Sequence, residues 1–261
     1  MGASLFSRIE HAGADAPWIM FGNSLMTDLS IWDAQARALS GHYNIMRYDQ
    51  RGHGGSPLGA PGFSFDDLGQ DLLDLLDREE ITTCLYVGLS MGVPTGLAAY
   101  AHQPGRFSGL IFVDGQAAST PSSQGFWSER IATAQSEGMG AIAAQTIARW
   151  LQPENRTGPK AETLADMISA TPLEGFIACA SLLMDYDQTA AFNKVAVPLA
   201  LVAGAQDGAM PDTMKALAAR HGHARFVAIE SAGHVPNFER PEAFNTVLTG
   251  ILADFAQGGH S

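Results

Sequence analysis

A serine flanked by glycines at the end of an apolar segment is the residue of this sequence best suited to chemistry. Ser90 is the centre of the segment 88–92, Gly-Leu-Ser-Met-Gly, which follows an apolar run at 83–87 and precedes a helical pattern at 93–102. Glycines on both sides allow a sharp turn from strand to helix that lifts the serine hydroxyl above the edge of a sheet. Free backbone N–H groups at the helix start favour negative charge nearby. Ser90 is therefore predicted to be a nucleophile that attacks a carbonyl group.

His234 is the candidate base for this serine. A serine hydroxyl is a poor nucleophile at neutral pH and needs a base, usually a histidine that a buried carboxylate orients. His234 lies between an apolar run at 226–229 and the last helical pattern of the chain. His53 is predicted to have a structural role in the loop after the apolar run at 43–48. The remaining histidines lie in the N-terminal segment, at helix ends, in turns or in the tail: His11, His42, His102, His221, His223 and His260.

Two aspartates compete for the role of the acid that orients His234. Asp207 and Asp114 each follow an apolar run that is typical of a strand. Asp207 is favoured because Gly204 and Pro211 bracket a loop in which an acid can turn inward. The resulting order of serine, aspartate and histidine along the chain matches the order known for α/β-hydrolases. Asp114 stays the alternative acid.

Backbone N–H groups that could stabilise a negatively charged carbonyl oxygen are expected at two places. The first is Met91, directly after the nucleophile. The second is the loop after the apolar run at 18–21, which reads Gly-Asn-Ser-Leu at 22–25. Ser24 is the first candidate donor in this loop, and Leu25 is the second.

Alternating strand and helix patterns are the elements that must position these residues. Short apolar runs of this kind are typical of strands buried on both faces, and they occur at 18–21, 43–48, 84–87, 110–113, 199–203 and 226–229. The stretch 65–78 has leucines at three- and four-residue spacing, which predicts an amphipathic helix. Repeated strand, helix, strand units predict a doubly wound, mostly parallel α/β sheet with right-handed crossovers.

The alternation stops between residues 118 and 189, where helical patterns at 129–135, 140–151 and 160–169 follow one another without a clear strand. We therefore predict a core of residues 1–117 and 190–261 and an inserted helical cap of residues 118–189. Arg149 and Trp150 fall on a predicted cap helix. Their guanidinium and indole groups could bind a substrate carboxylate and wall the pocket, respectively. A solvated arginine beside a core tryptophan is the alternative interpretation.

Composition limits the partners that this protein can have. A chain of 261 residues that is 46% hydrophobic can bury one large core. Its net charge of −12, with only 15 lysines and arginines, disfavours nucleic acid as a partner. No His-Glu-x-x-His motif or cluster of cysteines and histidines indicates a metal site. A small molecule is the expected partner, no metal or organic cofactor is expected, and a homo-oligomer stays possible.

The sequence also favours a cytoplasmic location. No apolar run reaches the roughly 18–20 residues needed to span a bilayer, and no secretion signal is recognisable at the N-terminus. Membrane partners are therefore not expected. Cys84 and Cys179 lie far apart in apolar stretches, which is typical of buried thiols in a reducing compartment.

Several segments outside the three candidate catalytic residues carry a family resemblance. They are residues 22–29 with Trp32, residues 47–54, the serine turn at 88–92, and the cap pieces 137–139 and 149–150. With these segments, the chain resembles the α/β-hydrolase superfamily over nearly its whole length. Within that superfamily it resembles the 3-oxoadipate enol-lactonases, also called β-ketoadipate enol-lactone hydrolases. The Asn-Ser loop at 23–24, where the superfamily more usually has His-Gly, is fairly discriminating.

The resemblance implies hydrolysis of a small lactone that bears a carboxylate, without a cofactor, in the catabolism of aromatic compounds. Ser90 would attack the ring carbonyl, and His234 would move the proton. General ester hydrolysis, carbon–carbon bond hydrolysis and perhydrolysis are alternatives that use the same three residues. A ligand-binding protein without turnover is the alternative from a different class.

Two departures from these lactonases stand out in the sequence. Val93 and Pro94 follow the serine turn where the lactonases usually have another glycine, so the floor of the pocket is expected to differ. Pro94 is tolerable in a first helical turn, where a missing N–H costs little. Only residues 4–10 read as a strand before Trp18, where the family commonly has a hairpin, so an edge strand is expected to be missing.

Overall fold

The computed structural model describes residues 4–258, and a sheet of seven strands crosses it. The strands are β1 (Ser7–Glu10), β2 (Trp18–Gly22), β3 (Asn44–Tyr48), β4 (Cys84–Leu89), β5 (Phe107–Val113), β6 (Leu199–Gly204) and β7 (Arg225–Ile229). Their spatial order is β1-β3-β2-β4-β5-β6-β7, and all pairs are parallel except β1 with β3. The predicted mostly parallel α/β sheet is confirmed. Between residues 4 and 17, β1 is the one strand, and it lies at the edge of the sheet.

Helices connect these strands along the whole chain. They are α1 (Asp33–Leu39), α2 (Phe65–Arg78), α3 (Gly92–His102), α4 (Ser123–Glu137), α5 (Met139–Trp150), α6 (Pro159–Ser169), α7 (Leu173–Met184), α8 (Thr189–Phe192), α9 (Met210–His221), α10 (Pro236–Glu239) and α11 (Pro241–Gly258). Short 3₁₀ turns occur at Leu29–Trp32, Pro104–Arg106 and Pro153–Asn155. Of the histidines considered above, His260 lies outside the described residues.

Alternate residues of the central strands pack into two separate hydrophobic clusters. In β4, Leu85 and Val87 belong to one cluster, and Cys84 and Tyr86 belong to the other. Because successive side chains of a strand point to opposite faces, the sheet is covered on both faces. Residues of α1 and α11 join the first cluster, and residues of α9 join the second. This arrangement explains why the strands read as continuous apolar runs.

Helix α2 has the bounds that its leucine spacing predicts. It begins with a capping box, in which the Ser64 hydroxyl accepts a hydrogen bond from the Asp67 N–H and the Asp67 carboxylate accepts one from the Ser64 N–H. Gly69 faces α3, where a Cβ would lie 2.6 Å from the backbone nitrogen of Ala99. The missing side chain therefore lets α2 and α3 pack closely behind the turn that carries Ser90.

Residues 118–189, called the cap segment below, lie between β5 and β6. The chain enters and leaves this segment at an isolated antiparallel bridge between Ala118 and Asp187. The helices predicted at 129–135, 140–151 and 160–169 correspond to α4, α5 and α6, and α4 begins six residues earlier than its pattern indicates. Helices α7 and α8 were not predicted. The reason for α7 is physical, since it is apolar over most of its surface and lacks the alternation that marks a helix.

No single helix in residues 4–258 combines the length and the hydropathy of a membrane span, although α6 and α7 together, bent by 93° at their junction, have the length and composition of one. Cys84 and Cys179 are both free, buried thiols.

Candidate active site

The turn between β4 and α3 holds Ser90 in a strained conformation. Ser90 has a φ of 53°, in the left-handed region that costs a residue with a Cβ about 1–3 kcal/mol. The residues two positions before and after Ser90 must be glycines, because a Cβ on Gly88 would lie 2.6 Å from the carbonyl oxygen of Gly92. A Cβ on Gly92 would in turn lie 2.9 Å from the carbonyl oxygen of Gly22 in β2. The segment 88–92 therefore packs tightly against β2 and leaves the Ser90 hydroxyl at the edge of the sheet.

A continuous series of hydrogen bonds joins Ser90, His234 and Asp207. The Nε2 atom of His234 lies 2.9 Å from the Ser90 Oγ, and its Nδ1 lies 2.7 Å from the Asp207 Oδ2. An ionised Asp207 accepts the Nδ1 proton, which leaves the Nε2 lone pair facing the serine hydroxyl. Burial alone would raise the pKa of Asp207, but the charge and hydrogen bond of His234, together with Arg149, hold it below its usual value. The structure thus brings together the three residues that the sequence singled out.

The alternative acid, Asp114, lies beside this series rather than within it. Asp114 follows β5 and is fully buried. Its two carboxyl oxygens lie 3.0 and 3.1 Å from the backbone nitrogen of Gly204, whose N–H they accept. In the structure it is Asp207, and not Asp114, that contacts the Nδ1 of His234.

A cavity of about 570 Å³ opens in front of the Ser90 hydroxyl. Every residue predicted for the site lines it: Ser24, Leu25, Ser90, Met91, Arg149, Trp150, Asp207 and His234. The backbone N–H groups of the three candidate oxyanion donors have no acceptor among the described residues. Free N–H groups at this position are available to a negatively charged oxygen.

Arg149 and Trp150 reach this cavity from the end of α5. The Trp150 ring lies 4.9 Å from the His234 ring, and the carbonyl oxygen of Trp150 accepts the His234 backbone N–H at 3.0 Å. The Arg149 guanidinium lies over the Phe126 ring, 4.4 Å from its centre, and the side chain is exposed. Phe126 and Trp127 of α4 also line the cavity and were missed by the sequence analysis. The signal that could have identified them is an aromatic pair outside the core strands.

The two residues that depart from the lactonases after the serine turn, Val93 and Pro94, lie in α3. Pro94 lies in the first turn of α3, as its tolerance there requires. Val93 is buried in the second hydrophobic cluster, and neither residue lines the cavity. Val93 packs against Gly115, which does line the cavity, so the altered floor stays a prediction.

A family model described as the alpha/beta hydrolase family matches residues 11–247. The chain belongs to this family. This α/β-hydrolase is 31% identical over 244 residues to 3-oxoadipate enol-lactonase 2 of Acinetobacter baylyi, and the match covers 93% of this chain and 91% of the relative. The protein is therefore a hydrolase, and its predicted resemblance to the enol-lactonases is confirmed.

Solved structures show the same similarity for this α/β-hydrolase. The enol-lactonase of Burkholderia xenovorans LB400 superimposes with a TM-score of 0.89 at 32% identity, covering 96% of this chain and 97% of that one. A malate-bound thermophilic esterase of Thermogutta terrifontis superimposes with a TM-score of 0.87 at 27% identity, covering 97% and 94% of the two chains.

In this α/β-hydrolase, the loop after β3 fixes the loop that carries Ser24 and Leu25. The Nε2 of His53 accepts the Met26 N–H at 3.0 Å, and the Gln50 amide donates to the Ser24 carbonyl at 3.2 Å. Because burial lowers the pKa of His53 to about 4, the ring is neutral at physiological pH and its Nε2 is free to accept. The predicted structural role of His53 thus extends to the loop on which the candidate oxyanion donors lie.

This arrangement makes folding stability depend on pH. The pKa of His53 is about 4 in the folded protein, and the ordinary histidine pKa is about 6.5. At a pH between these two values, the unfolded chain binds a proton at His53 that the folded protein does not. The free energy of unfolding is therefore expected to fall as the pH decreases through this window, by up to about 3 kcal/mol from His53 alone. His53→Gln removes the titration, so urea unfolding at several pH values should show a flatter profile. His42→Gln, at an exposed position, should match the wild type, and an equally steep profile for both variants would contradict the prediction.

Proposed function

We propose that this α/β-hydrolase is a serine hydrolase that cleaves a small ester or lactone bearing a free carboxylate, with a 3-oxoadipate enol-lactone as the substrate type. The observation that carries the proposal is the hydrogen-bonded series from Ser90 through His234 to Asp207, which faces a cavity with unpaired backbone N–H groups. Ser90, His234 and Asp207 are called the triad below. The similarity to two enol-lactonases over more than nine-tenths of the chain supports the substrate type.

The triad geometry allows an acyl-enzyme mechanism. The Ser90 Oγ attacks the carbonyl carbon while the His234 Nε2 takes the hydroxyl proton, and Asp207 stabilises the resulting imidazolium. The backbone N–H of Met91 and one from the loop at 24–25 stabilise the oxyanion. The carbon–oxygen bond of the ester then breaks, and His234 gives its proton to the leaving oxygen. In a lactone this oxygen stays attached to the acyl chain, so the ring opens. Water activated by His234 then releases the acid.

Two arginines of the cap segment favour a substrate that carries a negative charge. The guanidinium carbons of Arg149 and Arg130 lie 4.4 and 5.6 Å from the centre of the Phe126 ring. Neither arginine forms an ion pair with a carboxylate among the described residues. Burial, and then the charge of Arg149, lower the pKa of Arg130 to about 10. A substrate carboxylate in the cavity would offset this repulsion between like charges.

Arg149 provides a test of this substrate preference. Arg149→Gln is expected to raise KM for a carboxylate-bearing lactone by about tenfold, the lower end for a charge-assisted hydrogen bond, because the guanidinium is exposed to solvent. KM for a neutral ester such as p-nitrophenyl acetate should stay within about twofold of the wild type, since no charge is recognised. Steady-state kinetics on both substrates measure the difference. Arg37→Gln, at an exposed position on α1, is the matched control. Equal effects on the charged and the neutral substrate would remove Arg149 from substrate recognition.

The decisive experiment for the function is a substrate panel assayed at one enzyme concentration. It contains a carboxylate-bearing enol-lactone, a neutral lactone, p-nitrophenyl esters and a dienoate diketone. The highest kcat/KM is expected for the enol-lactone. A preference for the diketone would instead indicate carbon–carbon bond hydrolysis by the same triad. If no substrate is turned over and no ester acylates the protein, the enzymatic proposal fails and the ligand-binding alternative replaces it.

A further inference from the structure

A second buried carboxyl group lies against the triad without a role in the steps above. Asp114, at the end of β5, is fully buried and has a φ of 42°, a left-handed conformation that is costly for a residue with a side chain. Its carboxyl group forms no ion pair with a basic side chain in the described part of the chain. A buried charge without such a partner is unfavourable. The conformation and the burial together indicate that the fold holds this carboxyl group in a fixed place.

That place is directly beside the acid of the triad. One atom each of the Asp114 and Asp207 carboxyl groups and of the His234 ring lie within 4.8 Å of one another. The Asp114 side chain is fully buried and the Asp207 side chain is only 11% exposed, so water screens the pair little. Two carboxylates held this close repel each other, whereas a protonated carboxyl group can donate a hydrogen bond to a carboxylate. One proton held by the pair would remove this repulsion.

The surroundings decide which aspartate holds the proton. Burial, and then the charge of Asp207, raise the pKa of Asp114 well above its usual value. Asp207 is less buried, and its hydrogen bond from His234 and the nearby Arg149 lower its pKa. His234, in the loop after β7, and Arg149, on α5, are the titratable groups that act on the pair. The neutral acid is thus Asp114, and the carboxylate is Asp207.

We infer that Asp114 is a positioning residue that keeps its carboxyl proton at neutral pH and donates it in a hydrogen bond to Asp207. The same carboxyl group accepts the N–H of Gly204, the last residue of β6. It therefore holds both the start of the loop that carries Asp207 and the side chain of Asp207 itself. Asp207 is thereby fixed at its hydrogen bond to the His234 Nδ1. This inference rests on the proposed function of the triad.

Two substitutions separate this role from a purely structural one. Asp114→Ala removes the donor to Asp207 and the acceptor for Gly204, and it is expected to lower kcat about 10- to 100-fold while KM stays within about threefold. It also leaves Asp207 a more basic carboxylate, which stabilises the imidazolium, so the acid limb of the kcat/KM profile moves to higher pH. Asp114→Asn retains a donor and an acceptor of the same shape. It should rescue most of the lost turnover and return the acid limb to its wild-type position.

The location of the proton can be measured without turnover, in the inactive Ser90→Ala protein. Above the ordinary aspartate pKa of about 4, the unfolded chain releases the Asp114 proton and the folded protein keeps it. From this residue alone, the unfolding equilibrium constant therefore rises about tenfold per pH unit, up to the folded-state pKa. Adding Asp114→Asn should remove this contribution, seen as the difference between the two urea-unfolding profiles. Identical profiles would overturn the inference.

Three further outcomes also decide against it. If Asp114→Asn moves the acid limb to lower pH by about one unit, Asp114 is a carboxylate in the folded enzyme. If Asp114→Asn abolishes turnover while Asp207→Asn does not, Asp114 is the acid of the triad. If dialysis against EDTA lowers the unfolding midpoint, a cation and not a proton lies among Asp114, Asp207 and His234. A protein inactive on the whole panel would defeat the proposed function alone, since the unfolding comparison still locates the proton.

Discussion

Ser90→Ala is expected to lower kcat by about 10⁵-fold or more on every ester and lactone that the wild type cleaves. The substitution removes the Oγ that lies 2.9 Å from the His234 Nε2 and leaves no atom that can be acylated. Alanine keeps the Cβ, so the strained backbone at φ 53° is neither relieved nor worsened, and the fold should be unchanged. The measurement is a rapid-mixing experiment with a p-nitrophenyl ester, in which the wild type gives a burst of p-nitrophenol and the variant gives none.

Ser136→Ala is the matched control for this experiment. Ser136 lies on α4, is exposed, and donates its hydroxyl only to carbonyl groups of its own helix. It should therefore show the wild-type burst and kcat. A stoichiometric burst that persists in Ser90→Ala would show that another residue is acylated, and the proposed mechanism would then be wrong.

Asp207→Asn is expected to lower kcat/KM by about 10⁴-fold at neutral pH while the protein stays folded. An asparagine amide in this position donates to the His234 Nδ1, so the imidazole proton moves to Nε2. His234 would then donate to Ser90 and could not take its proton. The pH dependence of kcat/KM measures this loss, because the variant should recover part of its activity only at high pH.

Asp212→Asn controls for the removal of one negative charge near the site, because Asp212 is exposed in the first turn of α9. It should stay within about twofold of the wild type, as expected for a surface substitution. An Asp207→Asn enzyme that retained most of its turnover would assign the orientation of His234 to another group.

The place of the site could be predicted from the sequence because of one property of parallel sheets. Ser90, Asp114, Asp207 and His234 follow β4, β5, β6 and β7, which are successive neighbours in the sheet. The carboxyl ends of parallel strands meet at one edge, so residues that follow apolar runs converge there. A pattern of runs was therefore enough to predict the sheet and the group of residues at its edge.

The loop bracketed by Gly204 and Pro211 favoured Asp207 over Asp114, but only coordinates show which carboxyl group contacts His234. Both follow a buried strand, and which of them contacts His234 depends on the path of each loop over a few ångströms. Asp207 extends to the Nδ1, whereas Asp114 turns back to the N–H of Gly204. The loop pattern indicated which acid can turn inward, but it could not show that Asp114 turns back to the N–H of Gly204.

The cap segment was predicted least completely, also for a physical reason. Helix α7 packs against α4, and its residues Phe176, Cys179 and Ala180 are fully buried. A helix covered on most sides has no polar face and so no periodicity to detect. For α4, the cavity-lining Phe126 and Trp127 lie before the stretch that reads as helical.

The contacts of Trp150 limit how this enzyme can be recombined with its relatives. The carbonyl of Trp150 holds the His234 backbone, and the buried Glu239 carboxylate accepts the N–H groups of both Gln152 and Gly233 at 2.6 Å. These contacts join the segment 118–189 to the loop that carries His234, although the two are far apart in the sequence. A chimera that exchanges only residues 118–189 would misplace His234 unless the donor protein supplies the same contacts. Glu239 and the loop before it should therefore be exchanged together with residues 118–189.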